Sequence, residues 1–262
     1  MTQLTHAKEM QNLIEKGAVF YCSHSGGKDS QAMYTLLKDF VPADQLVVVH
    51  ADLGSVEWSG VQGHIKDNIT EQLNVVRANK TFLEMVERRG MWPSPAYRQC
   101  TSDLKTGPIM KFIRNDVKAR GATIAINCMG LRAEESSARS KKNSLEINKA
   151  QTVNKRVTRT VYNWLPIFDM LEGEVFDTIY AADQKPFWAY GKRGELNSRL
   201  SCVFCIMGSK NDLQHGARSN PELFKQYIEL ENKIGHTMFV KGKNPVKLED
   251  HVGLKLIEVI NL

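Results

Sequence analysis

Residues 25 to 30 read Ser-Gly-Gly-Lys-Asp-Ser, a run that combines two adjacent glycines with hydroxyl groups and a charge pair. Two glycines allow the backbone to approach a ligand closely, and the neighbouring N–H groups can then bind an anion. The serines add hydroxyl donors, and the lysine adds a positive charge suited to a phosphate. The residues of this candidate phosphate loop are Ser25, Gly26, Gly27, Lys28, Asp29 and Ser30.

This loop differs from a Walker A motif at two positions. That motif needs a glycine five positions before Gly27, where the sequence has Cys22, and a Ser or Thr after Lys28, where it has Asp29. The structural alternative is a tight turn in which Asp29 caps the following helix. Capping alone does not require two glycines, a lysine and two serines in succession, so we favour the anion site.

Cysteines form a second group of reactive side chains. Cys202 and Cys205 have the spacing C-x-x-C, and Cys100 lies far earlier in the sequence. Such thiolates bind an iron–sulfur cluster or zinc, or act as a redox-active dithiol, and Cys128 could supply a fourth thiolate. Two buried small residues are the simpler alternative for the C-x-x-C. Three nearby cations would favour thiolates or an anionic substrate: Arg98, Lys105 and Lys210.

Apolar runs alternate with helical patterns through most of the chain and supply a scaffold for these residues. Strands are predicted at residues 17–25, 44–54, 74–79, 122–132 and 157–168, and helices at residues 28–40, 56–73, 81–90, 103–121 and 173–184. This alternation predicts an α/β fold with a doubly wound parallel sheet. The phosphate loop then lies at the carboxyl end of the first strand, where open sheets bind ligands.

The pattern changes after residue 137. Residues 136–156 are polar and basic and are predicted to form a loop, and residues 220–262 are mostly helical in pattern. We predict a nucleotide-binding domain over residues 1–180. Residues 181–262 would form a cysteine-containing helical C-terminal extension packed on the active edge.

The overall charge favours anionic partners, since the net charge is +6 and the isoelectric point is about 9.0. Between Arg132 and Arg159 there are eight Lys or Arg residues against three Glu residues. A solvated loop and a basic rim that contacts phosphates explain this excess equally well. The sequence has neither a membrane-length apolar run nor the apolar core of a signal peptide, so a cytoplasmic protein without membrane contacts is expected.

The order Ser-Gly-Gly-Lys-Asp-Ser resembles the PP-loop of the ATP pyrophosphatases, enzymes that split ATP at the α-phosphate. Further segments follow in the order seen in the phosphoadenosine-phosphosulfate (PAPS) reductase branch of that family: HADLG at 50–54, GLRAEESSAR at 130–139, LPIF at 165–168 with EVFDTI at 174–179, and PFWAYGKRGELNSRLSCVFC at 186–205. The resemblance covers roughly residues 15 to 215. It implies the adenine nucleotide alpha hydrolase-like fold.

The resemblance also implies a nucleotide site. Residues 25–30 would bind pyrophosphate, with Lys28 and Asp29 as catalytic residues and Asp29 contacting Mg²⁺. Arg132 would stabilise charge at the α-phosphate, although a surface ion pair with a neighbouring glutamate is the alternative. The other implied nucleotide contacts are Asp52 and Gly54 beside the nucleoside, and Gly130 and Glu135 beside the phosphates.

The same resemblance implies that the cysteine segments meet at the mouth of the nucleotide site. Cys100, Cys202 and Cys205 would then be catalytic in sulfur transfer and would bind a metal centre, such as a 4Fe–4S cluster. Zinc remains the competing metal at this point.

Three functions fit these residues. The favoured one is an ATP-dependent adenylating enzyme that activates an acceptor for sulfur transfer, with DNA phosphorothioate modification as the leading case and tRNA thiolation as a related one. Such an enzyme would use a cysteine desulfurase as sulfur donor and would contact nucleic acid. A homodimer is one possible oligomeric state. The second function is PAPS reduction, although those reductases carry their catalytic cysteine in a C-terminal tail and no cysteine follows Cys205. The third, a non-catalytic nucleotide-binding subunit, is disfavoured by the intact loop.

Overall fold

The computed structural model of the chain describes residues 4–152 and 159–260. The strands are β1 (Val19–Ser23), β2 (Leu46–Asp52), β3 (Leu73–Arg77), β4 (Ile124–Met129), β5 (Leu145–Ile147), β6 (Thr160–Trp164), β7 (Phe239–Lys241) and β8 (Asn244–Val246). The helices are α1 (Ala7–Glu15), α2 (Lys28–Phe40), α3 (Val61–Asp67), α4 (Phe82–Arg89), α5 (Gln99–Thr101), α6 (Gly107–Ala119), α7 (Ser137–Ser140), α8 (Glu172–Ala181), α9 (Lys210–Ser219), α10 (Pro221–Ile234), α11 (Leu248–Val252) and α12 (Leu256–Ile260).

Six strands form one sheet in the order β3-β2-β1-β4-β6-β5. Strand β1 pairs in parallel with β2 and β4, β4 pairs in parallel with β6, and the short β5 pairs antiparallel with β6. The predicted α/β, mostly parallel sheet is confirmed. The loop that follows β1 therefore emerges between two neighbouring parallel strands.

Helices cover both faces of this sheet because side chains alternate along each strand. Phe20 and Cys22 of β1 pack in one cluster with residues from α1, α2 and α8. Val19 and Tyr21, the intervening residues, pack in a second cluster with α6. This is the doubly wound arrangement that the sequence pattern predicts.

The chain divides into two compact units that do not follow a single cut in the sequence. The first comprises Met1–Ala51, Gly60–Val76 and Ile109–Phe187, and the second comprises Asp52–Ser59, Arg77–Pro108 and Trp188–Leu262. The phosphate loop belongs to the first unit, and Cys100, Cys202 and Cys205 belong to the second. The boundary between residues 180 and 181 stays a prediction.

Three local expectations differ from the structure. The helix predicted over residues 56–73 is interrupted, because the backbone at Gly60 is left-handed (φ 88°) and α3 begins only after it. Strand β5 lies in the predicted loop 136–156, and three edge residues are too few to give a sequence signal. Residues 153–158, part of that loop and of the basic stretch, lie outside the described residues. The C-terminal residues are largely helical as predicted, with the addition of a β7–β8 hairpin.

Aromatic packing forms much of the core of the second unit. The ring of Tyr227 on α10 lies 5.9 Å from that of Phe82, 5.1 Å from that of Trp92 and 5.0 Å from that of Phe204. Phe204 lies between the two cysteines of the C-x-x-C, so this core fixes the backbone that carries them. In the described parts of the chain, no helix has the length and apolar character needed to cross a membrane.

Candidate active site

The phosphate loop connects the end of β1 to the start of α2 and is held by its own hydroxyl groups. The Ser30 hydroxyl donates to the Gly27 carbonyl at 2.8 Å and accepts the N–H of Ser25 at 3.1 Å. Gly26 has φ 78°, a conformation open to glycine but strained for other residues. The backbone conformation at this position therefore requires a glycine.

Helix α2 begins without a side-chain cap. Its N-cap residue is Gly27, which has no side chain that could accept a hydrogen bond from the first turn. Asp29 lies within the first turn instead, so the alternative in which Asp29 caps the helix does not hold. The amides of an uncapped helix N-terminus lack intrahelical partners and attract anions through the helix dipole.

Lys28 lies at the start of α2 and is only 3% exposed. Its ammonium lies 3.1 Å from a carboxylate oxygen of Glu172, at the start of α8, and 3.7 Å from one of Asp29. The ring of Phe176 is centred 6.0 Å from the same nitrogen. A buried cation with two carboxylate neighbours is thus placed at the first turn of α2.

Arg132 is also 3% exposed. It is therefore buried, whereas the alternative interpretation of the sequence predicted a surface ion pair with a neighbouring glutamate. Its Nε donates to Asp29 at 2.6 Å, and its Nη1 donates to Glu134 at 2.6 Å and to the Met170 carbonyl at 3.2 Å. Burial opposes the charge, but these carboxylates outweigh it and raise the pKa of Arg132. The guanidinium therefore stays charged beside the loop carboxylate of Asp29.

Glu134 and Glu135 follow Arg132 and have structural partners. Glu134 also accepts the N–H of Glu172 at 2.7 Å, which ties the start of α8 to Arg132. Glu135 accepts the backbone N–H of Arg132 at 2.9 Å and pairs with Arg139. The predicted phosphate contact at Glu135 is untested and stays a prediction.

Gly130 allows the close approach of two segments. A Cβ atom on Gly130 would lie 2.9 Å from the carbonyl carbon of Asp29 and 3.0 Å from the nitrogen of Ser30. Any side chain would therefore push the end of β4 away from the start of α2. Gly130 therefore allows the Arg132 segment to lie against the phosphate loop. The sequence predicts a different role for Gly130, a contact with the phosphates, and that contact stays a prediction.

Asp52 and Gly54 lie in the second unit. Asp52 accepts the Gly54 N–H at 2.7 Å and forms an ion pair with Arg77 at the end of β3. Together with Lys80 and Thr81 they line a cavity of about 260 Å³. This cavity offers a carboxylate, two cations and backbone groups to a polar ligand.

Cys100, Cys202 and Cys205 are partly buried in the second unit and share one cation. Burial opposes the charge of Lys105, but Cys202 and Cys205, with Glu57 and Cys100, outweigh it and raise the pKa of that ammonium. Burial also raises the pKa of the Cys202 thiol to about 12, against the opposing effect of Lys105. All three cysteines therefore act electrostatically on Lys105. The predicted meeting of the cysteine segments at the mouth of the nucleotide site stays a prediction.

The remaining cysteines are core residues. Cys22 and Cys128 face each other across the β1–β4 register, and neither is exposed. The expectation that Cys128 could supply a fourth thiolate is wrong, because its side chain packs in the hydrophobic cluster of the first unit. Burial raises the pKa of the Cys128 thiol well above its usual value.

A metal centre held by protein side chains needs several donor groups close together. Within residues 4–152 and 159–260, no three or more Cys, His, Asp and Glu side chains are grouped so that they could hold a metal ion. The three cysteines therefore do not fit a preassembled metal centre. For Mg²⁺ the requirement is smaller, because this ion is commonly bound by one or two carboxylates together with substrate phosphates. Asp29 is a candidate for that contact.

Sequence reasoning missed Glu172 and His24 beside the loop. Glu172 reaches Lys28 from a distant helix, and a glutamate in a first helical turn gives no sequence signal of such a role. His24 precedes the loop and accepts the N–H of Gly26 through Nδ1 at 3.0 Å. The sequence pattern places His24 in the strand predicted over residues 17–25, and the direction of its ring cannot be inferred from that position.

The central parallel sheet, the glycine-bearing loop between β1 and α2 and the buried Lys28 define a nucleotide-utilising α/β domain of the PP-loop class. The family model for the phosphoadenosine phosphosulfate reductase domain matches residues 20–193. The chain therefore belongs to the PAPS reductase-like branch of the PP-loop superfamily. No curated protein matches the chain.

Proposed function

We propose that the chain is an ATP pyrophosphatase that adenylates an acceptor and prepares it for sulfur transfer. The observation that carries this proposal is the buried Lys28 at the uncapped start of α2, directly after a loop with the PP-loop sequence. A buried ammonium beside the N-terminus of a helix is suited to a polyphosphate. Family membership supports a nucleotide-utilising enzyme, and the choice of ATP rests on this loop.

In the first step an acceptor oxygen attacks the α-phosphorus of ATP. A bond forms between that oxygen and the α-phosphorus, the bond from the α-phosphorus to the bridging oxygen breaks, and pyrophosphate leaves. Lys28 and the α2 amides hold the β- and γ-phosphates, and Arg132 offsets the charge that develops at the α-phosphate. Asp29 keeps the Arg132 guanidinium in place through its ion pair.

In the second step sulfur replaces AMP. A cysteine desulfurase would charge Cys202 as a persulfide, whose terminal sulfur attacks the activated phosphorus and displaces AMP. Cys205 then attacks the sulfur of Cys202, which releases the thio product and leaves a Cys202–Cys205 disulfide. A thiol reductant supplies the two electrons that restore both thiols.

DNA is the acceptor that we favour, with tRNA as the second nucleic acid. The basic stretch between Arg132 and Arg159 supplies cations for sequence-independent contacts with backbone phosphates. A second candidate function is PAPS reduction, which is favoured by one observation, namely the family model that matches residues 20–193.

Pyrophosphate release from ATP–Mg²⁺, measured with and without DNA or tRNA, tests the first step. Lys28→Ala should abolish release, because it removes the buried cation at the phosphate site. Lys38→Ala, in the last turn of the same helix, is the matched control and should retain activity. Equal turnover in the Lys28→Ala and wild-type proteins would reject the loop assignment.

Transfer of ³⁵S from the persulfide to nucleic acid tests the second step. A protein with Cys202→Ala and Cys205→Ala should release pyrophosphate at the wild-type rate but incorporate no sulfur. Cys22→Ala, which removes a core thiol, is the control. Sulfur incorporation by the double variant would remove these cysteines from the mechanism.

A further inference from the structure

His24 lies between the end of β1 and the first glycine of the phosphate loop, and its ring is 2% exposed. The Nδ1 atom accepts the N–H of Gly26 at 3.0 Å and lies 3.4 Å from the Ser30 hydroxyl. This contact spans two residues, as in an Asx turn, in which a side-chain acceptor folds the backbone ahead of it. The residue that it holds is Gly26, the one loop residue with left-handed backbone (φ 78°).

The hydrogen bonds assign the tautomer of this ring. A backbone amide can only donate, so Nδ1 must be unprotonated and the ring hydrogen must be on Nε2. The backbone carbonyl of His24 accepts in turn from Nδ1 of His50, at 3.0 Å. The neutral ring is thus fixed between strand β2 and the loop.

The other ring nitrogen makes no such bond. Among the described residues, Nε2 of His24 is buried without a hydrogen-bond partner. An imidazole is therefore a poor choice for packing alone, because a buried donor without an acceptor destabilises the fold. The Nδ1 contact with the loop gives the ring a role that an apolar side chain could not fill.

We propose that His24 is a positioning residue of the phosphate loop. As its Nε2–H tautomer, His24 accepts the Gly26 N–H and so stabilises the left-handed turn at Gly26. This turn presents the loop and the start of α2 to the anion. This inference rests on the proposed nucleotide function. His24 touches no phosphate in this scheme and acts through the backbone of Gly26. It extends the site by one residue before the Ser-Gly-Gly-Lys-Asp-Ser run.

The test compares two substitutions that differ in whether they keep an acceptor. His24→Asn can accept the Gly26 N–H as an Asx turn, whereas His24→Leu cannot. His64→Asn is the control for loss of a partly buried imidazole, because the ring of His64 bonds to Gln31 and Asn68 and not to the loop. Thermal unfolding of each protein shows that it is folded.

Titration calorimetry with ATP–Mg²⁺ should give a Kd about tenfold higher for His24→Leu, and within about threefold of wild type for His24→Asn and His64→Asn. A folded His24→Leu protein with wild-type affinity would overturn the inference. An equal loss in both His24 variants would also overturn it, because the acceptor would then be irrelevant.

A second readout needs no nucleotide. In ¹⁵N spectra the wild-type His24 ring should show the Nε2–H tautomer, and the Gly26 amide should exchange slowly in wild type and His24→Asn but rapidly in His24→Leu. An Nδ1–H tautomer, or Gly26 exchange that does not differ between the variants, would refute the inference. If wild type fails to bind ATP while these signatures are present, the proposed function fails and the positioning of the loop by His24 stands.

Discussion

At the scale of single residues, the candidate site contains two buried cations whose charges are already offset by carboxylates. Lys28 pairs with Glu172, and Arg132 pairs with Asp29 and Glu134. A buried cation is costly unless it is paired, so these carboxylates stabilise the chain in the absence of nucleotide. A phosphate that binds Lys28 must compete with the carboxylate that holds it.

Glu172 is the carboxylate best placed to be displaced, because its side chain is 51% exposed while Lys28 is buried. Glu172→Gln should therefore bind ATP about two- to fivefold more tightly, since an exposed partner contributes only modestly. The same change should lower the unfolding temperature without nucleotide, because Lys28 loses a counter-charge.

Calorimetry and thermal unfolding of Glu172→Gln provide the check, with the exposed Glu15→Gln of α1 as control. Weaker ATP binding by Glu172→Gln, with Glu15→Gln unchanged, would show that Glu172 assists the ligand rather than competing with it.

His24 also predicts a pH dependence of stability. Burial, with the charges of His50 and His64, lowers the pKa of His24 to about 3, and the ring of Tyr34 packs at 6.2 Å. The unfolded chain binds a proton below about 6.5 and the folded chain does not, so stability falls as pH drops from about 6.5 towards 3.

Urea unfolding at pH 7, 6 and 5 measures this slope. Below about pH 6.5 the free energy of unfolding should change less steeply with pH in His24→Asn, by up to about 1.4 kcal/mol per pH unit. The reason is that the variant lacks the imidazole that takes up one proton on unfolding. Equal slopes in wild type and His24→Asn would mean that His24 is protonated in the folded chain.

At the scale of elements, the site depends on how closely β4 and α2 approach. Gly130 follows β4, and a Cβ atom there would overlap the backbone of the first turn of α2. Helix α8 adds Glu172 from a third segment, and Glu134 ties its first amide to Arg132. Three segments distant in sequence therefore fix the charges around one loop.

Two glycine-to-alanine changes test this dependence. Gly130→Ala should lower the free energy of unfolding by about 1–3 kcal/mol and weaken ATP binding, because its Cβ overlaps backbone that cannot move aside. Gly173→Ala in α8 has open space at its Cβ and should be neutral or slightly stabilising. Chemical denaturation and calorimetry measure both. Wild-type affinity and stability in Gly130→Ala would show that the approach is not required.

At the scale of the whole molecule, the excess of basic residues bears on the acceptor. The net charge is +6, and the exposed Lys141 and Lys142 are part of the basic stretch. If nucleic acid is the acceptor, Lys141→Gln with Lys142→Gln should reduce the slope of log K against log salt by up to about 1.8 for DNA. Lys225→Gln on α10 is the control. An unchanged slope in the double variant would exclude these lysines from the contact.

The sequence is informative where the signal is local or periodic. The position of the phosphate loop between β1 and α2, the parallel sheet and the helices on both its faces followed from such signals. The partners of Lys28 and Arg132 could not be predicted, because Glu172 and Met170 reach them only through the tertiary fold. The predicted ligand role of Cys128 failed because its side chain packs in the hydrophobic cluster of the first unit.

The central claim is that the loop around Lys28 binds and splits ATP. Calorimetric titration of the anaerobically purified protein with ATP–Mg²⁺ and, separately, with PAPS tests it most directly. We expect saturable binding of ATP–Mg²⁺, lost in Lys28→Ala, and no comparable binding of PAPS. Tight PAPS binding without ATP binding would contradict the account and favour a sulfonucleotide reductase.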